Sequence, residues 1–282
     1  MDLIKEARRM QDWAGEERAR GRRIGLAPTM GFLHQGHLSL VEYVRQHCDR
    51  VVVSIFVNPM QFGPSEDLAQ YPRDLERDLG LLRPLGVDVV FHPEAGDMYP
   101  EGFQTRVEVT EVTQELCGAF RPGHFCGVAT VVLKLFNLVQ PHLAVFGEKD
   151  YQQLVTIQRM ARDLNLDLEV VGRPTVREPD GLALSSRNMY LKPEERPGAL
   201  SLYGALNLAR EMAAAGERDA AVILKAVRGH IEAKPHTRLQ YAQIVHPRTI
   251  TPVSRLEGEA VLALAVFVGR TRLIDNMLIK AG

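Results

Sequence analysis

Two histidines, His34 and His37, stand three residues apart in the segment Pro28-Thr29-Met30-Gly31-Phe32-Leu33-His34-Gln35-Gly36-His37. At the start of a helix that spacing puts both imidazoles on one face. There they can donate to phosphate oxygens whose negative charge grows in a transition state. The segment follows an apolar run at 24–28 and leads into an amphipathic one, so it reads as a strand-to-helix turn. Backbone N–H groups at a helix start, with the helix dipole behind them, favour an anion, and Gly31 and Gly36 let a polyphosphate approach the main chain. Those glycines have Walker spacing, but His37-Leu38 stands where Lys and Ser/Thr belong, so the P-loop pattern fails. No Gly-x-Gly-x-x-Gly occurs, which disfavours a dinucleotide-binding dehydrogenase. A surface pair or half of a metal site is the plainer reading of His-x-x-His.

Three more segments offer matching chemistry. Asn58-Pro59-Met60-Gln61-Phe62-Gly63 follows the apolar run 51–57. Gln61 brings donors and an acceptor without charge, suited to a hydroxyl or carboxylate, although a glutamine in a turn is ordinarily just solvated. Phe146-Gly147-Glu148-Lys149-Asp150-Tyr151-Gln152-Gln153 again joins a strand to a helix. Lys149 is a point charge for phosphate. Asp150 can accept from ribose hydroxyls, help hold a metal ion or cap the helix. Leu184-Ser185-Ser186-Arg187-Asn188 sets two hydroxyls and a guanidinium in sequence, a clamp for pyrophosphate, or a loop of common composition. Arg121-Pro122-Gly123-His124-Phe125 leaves His124 as a ligand contact, a cap or a core residue.

The elements that must hold these groups follow from hydrophobic pattern. Apolar runs at 24–28, 51–57, 87–91, 143–146 and 168–171 alternate with helical stretches at 38–48, 73–85, 124–139 and 151–164, after a first helix at 3–20. Strands alternating with helices imply a parallel, doubly wound sheet. Past Arg173-Pro174 the rhythm changes to helices at 194–215 and 219–233 and strands at 239–245, 260–268 and 272–278, an α+β unit with an antiparallel sheet. The expected division is 1–174 and 175–282, within a length of 282 residues that suits two domains at roughly 150 residues each.

Composition narrows the function. Lys and Arg number 34 against 35 Asp and Glu, giving a net charge of -1, so no cationic excess serves nucleic-acid binding and the substrate is expected to be small. The longest apolar run, 261–268, is far short of the roughly 20 residues of a membrane span. The charged N-terminal stretch does not read as a signal peptide. Cys48, Cys117 and Cys126 cannot all pair within one chain, which fits reduced thiols and a cytoplasmic location.

In this order the segments resemble the pantothenate synthetase (pantoate–β-alanine ligase) family, a member of the nucleotidylyltransferase superfamily related to class I aminoacyl-tRNA synthetases. The likeness rests on Pro28 to Gly31 with His34-x-Gly36-His37, Asn58-Pro59 with Gln61-Phe62, Arg121 to Phe125, Gly147 to Gln153 and Asp180 to Asn188. Phe32 and Gln35 stand where the family often has a smaller and an acidic residue, and Cys126 where arginine is frequent. None of these departures touches a candidate ligand-binding side chain.

The resemblance implies a Rossmann-like nucleotidylyltransferase domain with a C-terminal α+β lid, and a reaction in two steps. Pantoate attacks the α-phosphorus of ATP to give pantoyl adenylate and pyrophosphate, and the β-alanine amine then displaces AMP. It implies that Met30, Gly31, His34, Gly36 and His37 hold the triphosphate, with His37 the main group acting on the transition state. Gln61 and Gln153 orient pantoate. Lys149, Ser185, Ser186 and Arg187 bind the outer phosphates with Mg²⁺, itself carried mainly by the phosphates, and Leu184 is among the ATP-binding residues. Gly147, Asp150 and the backbone at Val176 hold ribose and adenine, Glu148 is among the ATP-binding residues, and a homodimer is expected. Two rivals remain: a nucleotidylyltransferase acting on a phosphate acceptor, disfavoured by the uncharged pair Gln61 and Gln153, and a nucleotide sensor without turnover.

Overall fold

The computed structural model describes residues 1–64 and 66–281. In chain order the elements begin with β1 (Asp2–Ile4), α1 (Ala7–Ala19), β2 (Ile24–Thr29), α2 (Gln35–His47) and β3 (Arg50–Ile55). They continue with α3 (Leu75–Leu82), β4 (Val89–Phe91), the single-turn helices α4 (Ala95–Met98) and α5 (Cys117–Phe120), then α6 (His124–Val139). Next come β5 (Leu143–Gly147), α7 (Tyr151–Asp163), β6 (Glu169–Arg173), α8 (Arg196–Ala214) and α9 (Ala220–Glu232). Strands β7 (Thr237–Val245), β8 (Glu259–Val268) and β9 (Thr271–Lys280) complete the chain. It divides into two compact units.

The first unit comprises Met1–Thr110, Arg121–Glu148 and Gln153–Pro174. Its sheet is wholly parallel, in the order β1-β4-β3-β2-β5-β6. Successive residues of each strand feed opposite faces, as a pleat demands. Leu26, Val52 and Val89 join a core with Met10 and Ala14 of α1, Val128, Val132 and Phe136 of α6 and Ile157 of α7. Their neighbours Ala27, Val53 and Val90 join another with Leu40, Val41 and Val44 of α2 and Leu79 and Leu82 of α3. Because both faces are covered, Val51-Val52-Val53 is a continuous apolar run rather than an alternating one.

Strand order reverses between β2 and β5. The chain leaves β2 toward β3 on one side and leaves β5 toward β6 on the other, so the crevice beyond their carboxyl ends is the switch point where ligands bind in open α/β sheets. One expectation fails at the N-terminus. The helix expected over 3–20 begins at Ala7, and Leu3 and Ile4 lie in β1, paired with Val90 and Phe91. Three residues are too few to show a period of two, and the pairing that makes them a strand is tertiary.

The second unit comprises Glu111–Phe120, Lys149–Gln152 and Thr175–Gly282. Its antiparallel sheet β7-β8-β9 packs Leu262, Leu264, Val266 and Val268 against Leu202 and Leu206 of α8 and Ile223, Val227 and Ile231 of α9. The fully buried Ala205, Ala209 and Ala213 give α8 a narrow face. Gln152 ties the early segment in: its Oε1 accepts from Cys117 N at 2.9 Å, while Nε2 donates to Val112 O at 3.0 Å and Glu115 O at 2.7 Å.

Candidate active site

The histidine pair is built by its own helix start. His34 is the N-cap of α2, in extended conformation, and its Nδ1 accepts from Gly36 N at 3.2 Å. His37, three residues on, accepts at Nδ1 from His34 N at 3.3 Å, so each histidine caps the other's end of the turn. Acceptance at Nδ1 assigns the proton of each neutral ring to Nε2. The ring centroids lie 4.0 Å apart with 32° between planes. The result is two neighbouring Nε2–H donors, oriented by main-chain hydrogen bonds.

The loop ahead of them differs from the expectation of open backbone donors. Gly31 N donates to Thr29 Oγ1 at 3.2 Å. Phe32 N and Leu33 N donate to the two oxygens of Asp78 at 2.7 Å and 2.8 Å. With His34 N and Gly36 N committed to the imidazoles, these amides have internal acceptors.

Gln61 ends a 3₁₀ turn, Pro59–Gln61, capped by Asn58. The buried Asn58 accepts at Oδ1 from Met60 N at 3.2 Å and from Tyr99 Oη at 2.8 Å. Its Nδ2 donates to Gln61 Oε1 at 3.1 Å and to Gly127 O at 3.0 Å. Burial pushes the Tyr99 phenol well above its usual range, so it stays a donor. Gln61 Nε2 in turn reaches Met30 Sδ at 2.9 Å, bringing Gln61 and Met30 together at the end of β2.

A second layer grips the Gln61 main chain. Arg121 forks onto Glu66, with Nε and Nη2 each 2.6 Å from a carboxylate oxygen, and Nη2 also reaches Gln61 O at 3.2 Å. His124 Nε2 lies 3.0 Å from Arg121 Nη1, and its Nδ1 lies 2.8 Å from Gln61 O. A guanidinium only donates, so Nε2 accepts and the Nδ1–H donates to the carbonyl. Burial pushes the Glu66 carboxyl upward, but the hydrogen bonds and charge of Arg121 outweigh it and hold Glu66 below the ordinary carboxylate range. His124, open among three readings in sequence, is an anchor for the Gln61 backbone. Glu66, which sequence reasoning missed, carries no local signal of its partner.

Gly147 ends β5, beside β2, and Gln153 follows one turn into α7. A Cβ added at Gly147 would meet nothing within 4 Å, so the main chain there is open to approach. The structure therefore gathers Met30, Gly31, His34, Gly36, His37, Gln61, Gly147, Glu148 and Gln153 in the first unit, on the elements that flank the switch point.

Lys149, Asp150, Val176, Leu184, Ser185, Ser186 and Arg187 lie in the second unit. Two successive residues of β9 hold them. Asn276 Nδ2 donates to Lys149 O at 2.9 Å. Asp275, buried, takes both Nη atoms of Arg177 at 2.6 Å and 2.9 Å, next to Val176, whose carbonyl accepts from Leu184 N at 3.0 Å. Ser185 caps the 3₁₀ turn Ser186–Tyr190, its Oγ accepting from Arg187 N at 3.3 Å. Lys149 Nζ stands 4.0 Å from Asp150 Oδ2. Among the described residues no three His, Cys, Asp or Glu side chains gather in a way that could hold a metal ion.

A doubly wound parallel sheet with a paired-imidazole helix start at its switch point defines an α/β nucleotide-binding fold of the nucleotidylyltransferase type. Known proteins narrow the class. The family described as Pantoate-beta-alanine ligase matches residues 2–278, and the chain belongs to that family. It is 58% identical over 280 residues to the pantothenate synthetase of Syntrophobacter fumaroxidans, covering 99% of each chain. It is 55% identical over 280 residues to that of Moorella thermoacetica, again covering 99% of each. Among solved structures, pantothenate synthetase from Thermus thermophilus superposes with TM-score 0.93 at 51% identity, over 98% of this chain and 99% of that one. Pantoate-beta-alanine ligase from Francisella tularensis, complexed with Beta-gamma ATP and β-alanine, superposes with TM-score 0.82 at 34% identity, over 99% and 97%.

Proposed function

We propose that this protein condenses pantoate with β-alanine to form pantothenate, using ATP and releasing AMP and pyrophosphate through a pantoyl adenylate. Membership of the family supports the overall reaction. The observation that carries the mechanism is that His34 and His37, at the switch point, each accept a main-chain N–H at Nδ1, which leaves Nε2 to donate.

In the first step a pantoate carboxylate oxygen attacks the α-phosphorus and the bond to the bridging oxygen of pyrophosphate breaks. Charge moves onto the phosphate oxygens, where the two Nε2–H groups donate more strongly than in the ground state. Gln61, set by Asn58 and by the grip on its own carbonyl, orients pantoate together with Gln153. Gly147, Asp150 and the Val176 main chain bind ribose and adenine, with Glu148 among the ATP-binding residues. Lys149, Ser185, Ser186 and Arg187 take the outer phosphates; residues 1–174 supply the main pantoate and nucleotide groups, and residues 175–282 serve as the lid that brings Val176, Ser185, Ser186 and Arg187.

In the second step the β-alanine amine attacks the acyl carbon and AMP leaves with the carboxylate oxygen it had gained. No covalent bond to the protein is required in either step. Mg²⁺ arriving on the triphosphate would neutralise phosphate charge. We place the enzyme in the cytoplasm as a homodimer. Free thiols at Cys48, Cys117 and Cys126 support the compartment.

Alignment of carboxylate with phosphorus supplies up to about 7–11 kcal/mol, and each preorganised donor about 3–4 kcal/mol. Replacing His37 by Ala is therefore expected to lower kcat by about 10²–10³-fold with the fold intact. The test is pantoate-dependent exchange of labelled pyrophosphate into ATP. Exchange with a phosphate acceptor instead of pantoate would point to the simpler transferase, and wild-type exchange by His37→Ala would remove the imidazole from the mechanism.

A further inference from the structure

The segment between β2 and α2 turns through two consecutive left-handed residues, Gly31 at φ 82° and Phe32 at φ 49°. An L side chain rarely adopts that conformation, so the Phe32 main chain needs outside support. On the ring side, Arg77 stacks over Phe32, its guanidinium carbon 4.8 Å from the ring centroid. A cavity of about 300 Å³ lies against the loop, bordered by Met30, Gly31, Phe32, Ile55, Leu75 and His92.

The support comes from α3. Asp78 is 1% exposed, yet its two oxygens accept from the consecutive amides Phe32 N at 2.7 Å and Leu33 N at 2.8 Å. Arg77, beside it, donates to Asp78 Oδ1 at 3.2 Å and to Leu33 O at 2.9 Å, so the pair holds the peptides on both sides of Leu33. The next residue is His34. Its Nδ1 accepts from Gly36 N at 3.2 Å and that of His37 accepts from His34 N at 3.3 Å, long bonds that a small slide of the loop would weaken, turning the rings. Burial of a carboxylate is costly, and burial pushes Asp78 upward against these hydrogen bonds.

We propose that Asp78 is a positioning residue for adenylate formation: its carboxylate holds the left-handed Gly31–Phe32 turn and thereby aims the Nε2–H groups of His34 and His37. The proposal rests on the reading of those imidazoles as phosphate donors, and it adds a group 44 residues beyond His34 whose carboxylate accepts from the loop main chain.

Asp78→Asn keeps the volume but turns one acceptor into a donor facing an amide. The expected result is a fall in kcat for pyrophosphate exchange of about 10–100-fold, with the KM for pantoate within about twofold, since Gln61 is held by other elements. In a His34→Ala, His37→Ala background the same change should cost less than about threefold, because the rings it aims are gone. Phe32→Gly, which enters the left-handed region unaided, should restore much of the activity of Asp78→Asn.

If Asp78→Asn alone fails to fold, Arg77→Met, at a half-exposed site, tests the same grip. It should lower kcat by about 3–10-fold and be non-additive with His37→Ala. A folded Asp78→Asn with wild-type kcat, or losses that multiply fully in the combined variants, would overturn the proposal. Wild-type exchange by His37→Ala would overturn the underlying mechanism instead, so the two failures are separable.

Discussion

Replacing Gly127 by Ala sets helix propensity against tertiary contact, and the structure decides the sign. Gly127 lies in the first turn of α6, where Gly→Ala would ordinarily stabilise by about 0.5–1 kcal/mol. A Cβ built there would lie 2.5 Å from the Met60 carbonyl carbon and 2.8 Å from Gln61 N. Ordinary Cβ contacts start near 3.4 Å, so the Pro59–Gln61 turn must retreat by about 0.9 Å. Both obstacles are main chain and cannot swing aside. The retreat also stretches the 3.0 Å bond from Asn58 Nδ2 to Gly127 O.

Overpacking costs about 1–3 kcal/mol and the weakened hydrogen bond about 0.5–1.5 kcal/mol, so after the gain in propensity the variant should be less stable by about 1–3 kcal/mol. Gln61 moves with the turn. A displacement approaching 1 Å at a substrate-orienting group can cost about 10²-fold, so the KM for pantoate should rise about 10–100-fold while that for ATP stays within about threefold. Initial rates with each substrate varied, together with a thermal melt, measure both effects. A variant with raised Tm and unchanged pantoate KM would refute the reasoning.

Two further outcomes follow from charge. Glu66 titrates below its ordinary value because Arg121 stabilises its ionised form, so its stabilisation is complete above pH 4.5 and is lost as pH falls below that. Wild type should therefore lose more stability than Glu66→Gln between about pH 5 and pH 3 in denaturant titrations, and parallel curves would count against the pair. Asp275→Ala strands Arg177 without its buried partner and should destabilise the C-terminal part by about 3–5 kcal/mol. Arg177→Met combined with Asp275→Leu should recover most of that loss in the same titration, and no recovery would show that the pair does more than satisfy itself.

Local chemistry was legible wherever its carriers are neighbours in the chain. His34 and His37 lie within one turn, so residue type and spacing alone put their rings together. Val51-Val52-Val53 announces a strand covered on both faces, because only burial on both sides tolerates such a run. The antiparallel strands after residue 237 follow their apolar runs closely. Where partners are distant, the text of the chain is silent. Nothing near Glu66 points to Arg121, and Gln152 and Gln153 are identical letters of which only the first is consumed in tying Cys117, Val112 and Glu115.

Sequence by itself determined which groups are available and the kind of sheet that presents them, because period, turn chemistry and helix capping act over a few residues. Tertiary structure alone decided that β1 is a strand, that the amides ahead of α2 face a carboxylate on α3, and that His124 holds a carbonyl. The physical reason is that a hydrogen bond across 45 or more residues depends on where two elements pack, and packing is settled by the summed burial of many side chains rather than by either partner's local sequence.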